Sequence, residues 1–339
     1  MDIFKIVFTG GPCAGKTTQI NMVKKYLKEK GYKVICASET ATDIFNMGFD
    51  FDFIDSEIDF QTLILQTQNY KENLISNNIK NKNQKIIILY DRGFLDNKAY
   101  FNNCRDFDYM LKEANKNELN LLDSYDLIID LVSLAVCNPE KYETKSNDAR
   151  KETLDYAKEL DEKTSNMWAG HPNLSIFNSN TSIDDEFKLV IEKIENIINK
   201  TDFRDIKTFE IDNSKEDFDN YNEYNSRLLN VEEITFFNNN TIYKRTYKGS
   251  TSYVLSVTTI NKSYIKTLSY EEYLELIFKD DIIDISKYKS LNFVRNQQAY
   301  EIKFYSDKTI LQYVENKMND CVILPSEIKL CKQKENVLR

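Results

Sequence analysis

Apolar residues set two different rhythms at the start of the chain. Ile3 to Phe8 is a short hydrophobic run of strand character, and Ile20, Val23 and Leu27 then recur at helical spacing. Further strands are expected at Lys33 to Ser38, Lys85 to Tyr90, Tyr125 to Val132 and Leu174 to Phe177. Gly31 reads as a helix stop, Phe60 to Ile75 as a long amphipathic helix and Asp184 to Ile198 as a closing one. The run KIIILY is apolar throughout, which suits a strand covered on both faces. Strands separated by helices predict an α/β unit over residues 1–200 with a doubly wound parallel sheet.

The rhythm changes near Lys200 to Arg204. Strands are expected at Asp202 to Ile211, Val231 to Phe237, Thr241 to Tyr247 and Ser252 to Thr259, then at Ser290 to Arg295, Ala299 to Tyr305 and Ile310 to Glu315. Asn238 to Asn240 reads as a hairpin turn, and Ser269 to Phe278 as a helix between strands. Residues 201–339 are therefore expected to form an α+β unit with an antiparallel sheet or barrel.

The first strand runs into TGGPCAGKTT. Gly10, Gly11, Pro12, Cys13, Ala14 and Gly15 make the loop, and Lys16, Thr17 and Thr18 open the helix. Strand, glycine loop and helix in this order form a phosphate-binding P-loop. The glycines let consecutive backbone N–H groups curl around an anion, and the helix N-terminus adds its dipole. Lys16 reaches outer phosphates, and the Thr17 hydroxyl is a Mg²⁺ ligand. A chance glycine-rich turn is the competing reading, and the placement of strand and helix argues against it.

Charge and composition narrow the classes. The chain has 339 residues and a net charge of −9, which disfavours extended nucleic acid as a partner. Six cysteines without C-x-x-C spacing and one histidine disfavour a zinc site. No apolar run reaches membrane-spanning length, and no leader pattern precedes the first strand, so a cytoplasmic location with reduced thiols is expected.

Other residues must name the reaction. Asp91 and Arg92 follow the apolar KIIILY strand, where Asp91 suits Mg²⁺ or its water and Arg92 suits a donor or acceptor phosphate. A strand-end turn of solvated charges is the alternative. Glu39 closes the second strand and reads either as a base for a substrate hydroxyl or as an acid at a helix N-terminus. Arg150 reads as a lid arginine over the transferring phosphoryl group or as part of a solvated basic pair with Lys151. Gln61 and Gln68 share a helix face and either read a ring amide or face water. His171, before Pro172, reads as a turn or packing residue.

The stretches FTGGPCAGKTT, SETAT, DRGFLDNKAY and NDARKETLDYAKELDEKTSNMWAGHPNLSIFNS occur in that order. In them, residues 1–200 resemble the P-loop nucleoside-kinase-like family that includes ribosylnicotinamide kinases. The resemblance implies phosphate, metal and lid roles for Lys16, Thr17, Asp91 and Arg150, a base role for Glu39, and Asn178 at the nucleotide site. VEEITFF, TIYKRTY, SYVLS, SYEEYLEL and YEIKFYSDKTILQYVE resemble a CYTH, or triphosphate-tunnel, domain. The combination is similar to the photoreceptor-channel translocation-defect family, which joins the two modules. The tunnel pattern departs from the family: RDIKTFEI lacks E-x-E-x-K, Lys303 replaces an acid, and Tyr313 stands two residues before Glu315 where a second acid is expected. Lys244, Arg245, Lys287 and Lys289 remain as candidates for a phosphorylated ligand, with an exposed sheet face as the alternative.

These readings make Mg²⁺-dependent phosphoryl transfer from ATP or GTP to a small-molecule acceptor the leading expectation. The alternative is a nucleotide-gated module binding a phosphoinositide, polyphosphate or RNA end, with little turnover. A triphosphatase barrel is the third reading, and the missing E-x-E-x-K speaks against it.

Overall fold

The opening apolar run folds as β1 (Ile3–Thr9), and the helical stripe after the loop folds as α1 (Lys16–Glu29). Gly31 follows α1 with a φ of +87°, a left-handed conformation that ends the helix at no side-chain cost. Next come β2 (Lys33–Ala37), α2 (Thr40–Asn46), α3 (Glu57–Asn78) and β3 (Ile86–Asp91). The chain continues through α4 (Cys104–Glu113), α5 (Glu118–Leu122), β4 (Leu127–Leu131) and the short α6 (Leu134–Cys137). Then α7 (Leu154–Met167), β5 (Leu174–Phe177) and α8 (Ile183–Asn199) complete this part. The computed structural model describes residues 3–49, 53–79, 84–142, 153–178, 182–315 and 322–331.

The five strands form a parallel sheet in the order β2-β3-β1-β4-β5. Ile87, Ile88 and Leu89 on β3 are fully buried, as are Ile128 and Ile129 on β4, so both sheet faces are covered. On one face Val23 and Leu27 of α1 pack with Val190 and Ile194 of α8. On the other, Leu65 of α3, Phe107 of α4, Leu160 of α7 and Trp168 close a second apolar layer. Since β1 lies at the centre, its carboxyl end and the P-loop sit between the ends of β3 and β4.

A separate eight-stranded antiparallel sheet follows. Its strands are β6 (Ile206–Ile211), β7 (Arg227–Phe236), β8 (Thr241–Tyr247), β9 (Ser250–Thr258), β10 (Ser263–Leu268), β11 (Ile282–Arg295), β12 (Gln298–Phe304) and β13 (Thr309–Val314). The order is β10-β9-β8-β7-β11-β12-β13-β6. Among the described residues its two edge strands, β10 and β6, do not pair with each other, so the expected barrel is not closed. One helix, α9 (Tyr270–Lys279), packs over the apolar cluster of Ile234, Ile242 and Leu255. Two parts of this sheet were not expected: β10, and the first half of β11 before Ser290.

Buried polar groups join the sheets. Asn166 of α7 donates to Val294 O at 3.1 Å and accepts from Val294 N at 2.7 Å. Arg227 donates to Met167 O at 2.9 Å and to Glu118 at 2.8 Å, while Arg245 donates to Gly170 O at 2.8 Å. Arg204 donates to Pro172 O at 2.8 Å. Three arginines thus hold the carbonyls that α7 and its following turn leave open. Glu118 also accepts from Lys98 at 2.9 Å, and both side chains are almost fully buried.

Candidate functional site

The P-loop turns where only glycine fits. Gly10 has a φ of +124°, and a Cβ there would lie 2.0 Å from Leu131 O. Gly15 caps α1 in the left-handed region at φ +76°. Cys13 sits in the loop at φ +57°, half-buried. Lys16 is buried and donates to Gly10 O at 3.0 Å and Gly11 O at 2.9 Å. Its ammonium therefore lies over the loop's own carbonyls.

Two side chains then meet at the head of α1. Thr17 Oγ1 donates to Asp91 Oδ2 at 3.1 Å. Asp91 Oδ1 is buried with no hydrogen-bond partner. Burial raises the Asp91 carboxyl above its ordinary value, against the pull of Lys16. A hydroxyl beside a half-satisfied buried carboxylate is an oxygen donor set that fits Mg²⁺.

On the β2 side, Arg92 takes a left-handed conformation at φ +69°, with its N–H bonded to Phe8 O at 3.0 Å. This turn aims the guanidinium back over the sheet edge. Its Nε donates to Glu39 Oε1 at 2.7 Å and its NH1 to Gly10 O at 3.3 Å. Tyr100 lies under it, with the ring centroid 5.6 Å from the guanidinium carbon. Burial would raise the Glu39 carboxyl, but the charges of Arg92 and Lys16 outweigh it and hold the group at about 2. Glu39 is thus ionised across the neutral range, a strong hydrogen-bond acceptor and a weak proton acceptor.

Lys16, Thr17, Glu39, Asp91 and Arg92 therefore share one sheet edge. Asn178, also buried, directly follows β5 at that edge. Arg150 and Lys151 lie outside the described residues. Gln68 is held inside the fold, accepting from Asn97 at 2.8 Å and donating to Glu72 at 3.1 Å. Gln61 is buried with Oε1 unpartnered. His171 is buried and brought down to about 4 by burial, with Nε2 bonded to Tyr125 O at 3.0 Å and Nδ1 to Asn173 N at 3.0 Å.

Three carboxylates behind the loop escaped the sequence reading. Asp161 Oδ1, on α7, accepts from Gly11 N at 2.7 Å and Ser133 N at 3.0 Å. Asp96 Oδ2 accepts from Gly93 N at 2.6 Å and its Oδ1 from Trp168 Nε1 at 3.0 Å. Asp130 accepts from Ser165 Oγ at 2.5 Å. Burial, then the neighbouring Asp161, push the Asp130 carboxyl up. The sequence did carry one signal for Asp130: it is an acid that interrupts the apolar run LIIDLV.

The four basic residues of the second sheet do not form one site. Lys244, Lys287 and Lys289 are placed on one face by the strand register, around Glu232. Lys244 and Lys287 approach that carboxylate at 3.7 and 3.6 Å. Arg245 is on the opposite face, where it pairs with Asp123 and Gly170 O. Adjacent residues of a strand point to opposite sides, which separates it from Lys244. On Arg245's face lies a cavity of about 670 Å³ between this sheet and the His171–Pro172 turn, lined by Arg204, Tyr243, Tyr288, Glu301 and Lys303.

Among the described residues, no helix is long and apolar enough to cross a membrane. A thymidylate kinase of Caldicellulosiruptor saccharolyticus is 62% identical over 34 residues, 10% of this chain and 16% of that enzyme. The chain thus spans about a sixth of the length of that relative. Residues 5–185 match the AAA domain family. The match takes in the P-loop, Glu39, the Asp91–Arg92 pair and the parallel sheet from Lys5 of β1 onward, more than half of the sequence, and the chain belongs to the AAA domain family of P-loop proteins.

Proposed function

We propose that this site binds a nucleoside triphosphate, ATP or GTP, and transfers its terminal phosphoryl group to a hydroxyl of a small-molecule acceptor. The observation that carries the reading is the Thr17–Asp91 contact at 3.1 Å beside the unpartnered Asp91 Oδ1. Mg²⁺ held by Thr17 and Asp91 would neutralise charge on the phosphates. Lys16 leaves the Gly10 and Gly11 carbonyls for the outer phosphates, while the loop's amides hold them from below. Glu39 receives the acceptor hydroxyl as a hydrogen-bond acceptor, and Arg92 fixes its carboxylate. Arg150, to which the sequence resemblance gives a lid role, would add positive charge to the transferring group. Such a site works by positioning and charge stabilisation. The thymidylate kinase match supports a kinase-like reaction but covers too little of that enzyme to name the acceptor.

The test is ADP or GDP formation by the full chain with Mg²⁺ and a panel of nucleosides, nicotinamide riboside first. Acceptor-dependent product supports the kinase. Tight nucleotide binding without turnover favours a nucleotide-gated module.

The cavity favours keeping that second reading. Lys303 is 7% exposed and approaches Glu233 and Glu301 no closer than 3.7 and 3.9 Å. Its ammonium lies over the Tyr243 and Tyr288 rings. A phosphorylated ligand there would engage Lys303, in place of the outward Lys244, Lys287 and Lys289.

A further inference from the structure

Behind the phosphate loop the fold buries three carboxylates, each from a different element. Asp130 lies on β4, in register with Thr9 of β1, while Asp161 lies on α7 and Asp96 in the turn after β3. All three are almost fully buried. The cations that face them are Lys16 and Arg92, and both have other partners. Lys16 donates to the Gly10 and Gly11 carbonyls, and Arg92 to Glu39 and Gly10 O. The three acids are served unequally. Asp96 accepts from the Gly93 amide, the Trp168 indole and the Thr9 hydroxyl. Asp161 accepts from two amides on a single oxygen. Asp130 accepts from the Ser165 hydroxyl alone, and its Oδ1 is buried with no partner. Donors favour the charged form and burial opposes it, so the proton that these crowded acids share rests on Asp130. Burial and the charges of Asp161 and Asp96 act in that direction, against the weaker pull of Lys16. Asp161 and Ser165 are four apart on α7 and share a helix face, so the acid that Ser165 holds and the acid that holds the loop are neighbours.

We propose that Asp130 is a positioning residue for the phosphate loop, acting through Asp161 as a neutral acid. With its proton in place, Asp161 alone carries charge at this point and stays on the Gly11 amide. Loss of that proton to solvent sets two carboxylate charges side by side in a dry interior, where like charges repel strongly. The repulsion is relieved when Asp161 draws back from Gly11, which loosens the loop under the phosphates. The inference rests on the nucleotide reading above, in which Lys16 moves from the loop carbonyls to the phosphates. That move takes a cation away from Asp130, so bound nucleotide holds the proton more tightly and affinity falls once the proton is gone.

Titration of the full chain with a fluorescent non-hydrolysable ATP or GTP analogue and Mg²⁺, from about pH 6.5 to about pH 9.5, spans the range to which burial raises a carboxyl. Wild-type affinity is expected to hold near neutrality and to fall by about tenfold towards the alkaline end, one linked proton allowing at most about tenfold per pH unit. Asp130→Asn has no proton to lose, and its affinity, whatever its neutral value, should not follow that fall. Ser165→Ala withdraws the donor that favours the charged form, so its fall should move to higher pH. An infrared difference spectrum of wild type against Asp130→Asn at neutral pH should show the carbonyl stretch of a protonated carboxylic acid. A wild-type affinity that is flat with pH overturns the proposal, as does a difference spectrum without that band. A fall that persists in Asp130→Asn belongs to another group, such as the Cys13 thiol, and overturns it too. If Asp130→Asn does not fold, Ser165→Ala decides, and an unmoved fall counts against the proposal. A wild type that binds no analogue at any pH contradicts the nucleotide reading itself, and the proposal falls with it.

Discussion

Asp161 Oδ1 receives the Gly11 amide at 2.7 Å, although the two residues are 150 positions apart. The same oxygen receives the Ser133 amide at 3.0 Å, and the Ser133 hydroxyl donates to Pro12 O. Helix α7 thus carries the underside of the P-loop, and one turn further on its Asn166 joins β11. Asp161→Ala leaves two buried amides unbonded and is expected to destabilise the fold by about 2–3 kcal/mol. It should also weaken nucleotide binding. Asp161→Asn keeps an oxygen acceptor and should recover most of both. Denaturant unfolding with fluorescent-nucleotide titration of the two variants checks this; equal losses in both would show that the carbonyl-type acceptor is not what matters.

Asp91 is expected to set the response to Mg²⁺. Asp91→Asn removes a carboxylate whose second oxygen has no protein partner, so folding stability should hold or rise slightly. Nucleotide turnover should fall, and the Mg²⁺ concentration for half-maximal rate should climb by roughly tenfold or more, as expected on loss of a charged ligand. A Mg²⁺ titration of product formation reads this directly, and an unchanged midpoint would remove Asp91 from the metal role.

The P-loop was legible because its signal is local. Strand, glycines, lysine and threonine lie within a few residues, and Asp91 ends an apolar strand that must stop beside them. Asp161 was not legible, because its partner Gly11 is brought to it only by the sheet order. The grouping of Arg245 with Lys244 failed for a reason the sequence already contained: neighbours on a strand face opposite ways. What the sequence did not contain is that Arg245's side would be covered by the Gly170 turn. The first half of β11 was missed because its opening residues, Ile282 to Ile285, are exposed on both faces and a bulge between Ile282 and Asp284 breaks the alternation. Closure of the second sheet was not readable at all, since it depends on whether β10 and β6 meet.

His171 gives the chain a defined acid response. Its imidazole is held neutral, down to about 4, while an unfolded histidine titrates near 6.5. A depressed value in the folded state means the stabilisation is complete above about pH 6.5 and is lost as the pH falls from there towards 4. The loss over that window is about 3 kcal/mol from this group. His171→Gln should flatten that part of the thermal-stability profile. The chain has a single histidine, so one imidazole resonance followed by NMR gives the midpoint without assignment work. A midpoint near 6.5 would contradict the buried, neutral ring.

Everything at the sheet edge depends on Lys16, whose ammonium rests on Gly10 O and Gly11 O at 3.0 and 2.9 Å. Isothermal titration of the full chain with a non-hydrolysable ATP or GTP analogue and Mg²⁺ measures its role most directly. Wild type should bind one equivalent with a Kd in the micromolar range, and Lys16→Ala should bind at least about a hundredfold more weakly, in line with the loss of a buried charge-assisted contact. A wild type that binds neither analogue, or a Lys16→Ala variant that binds as tightly as wild type, would contradict the account.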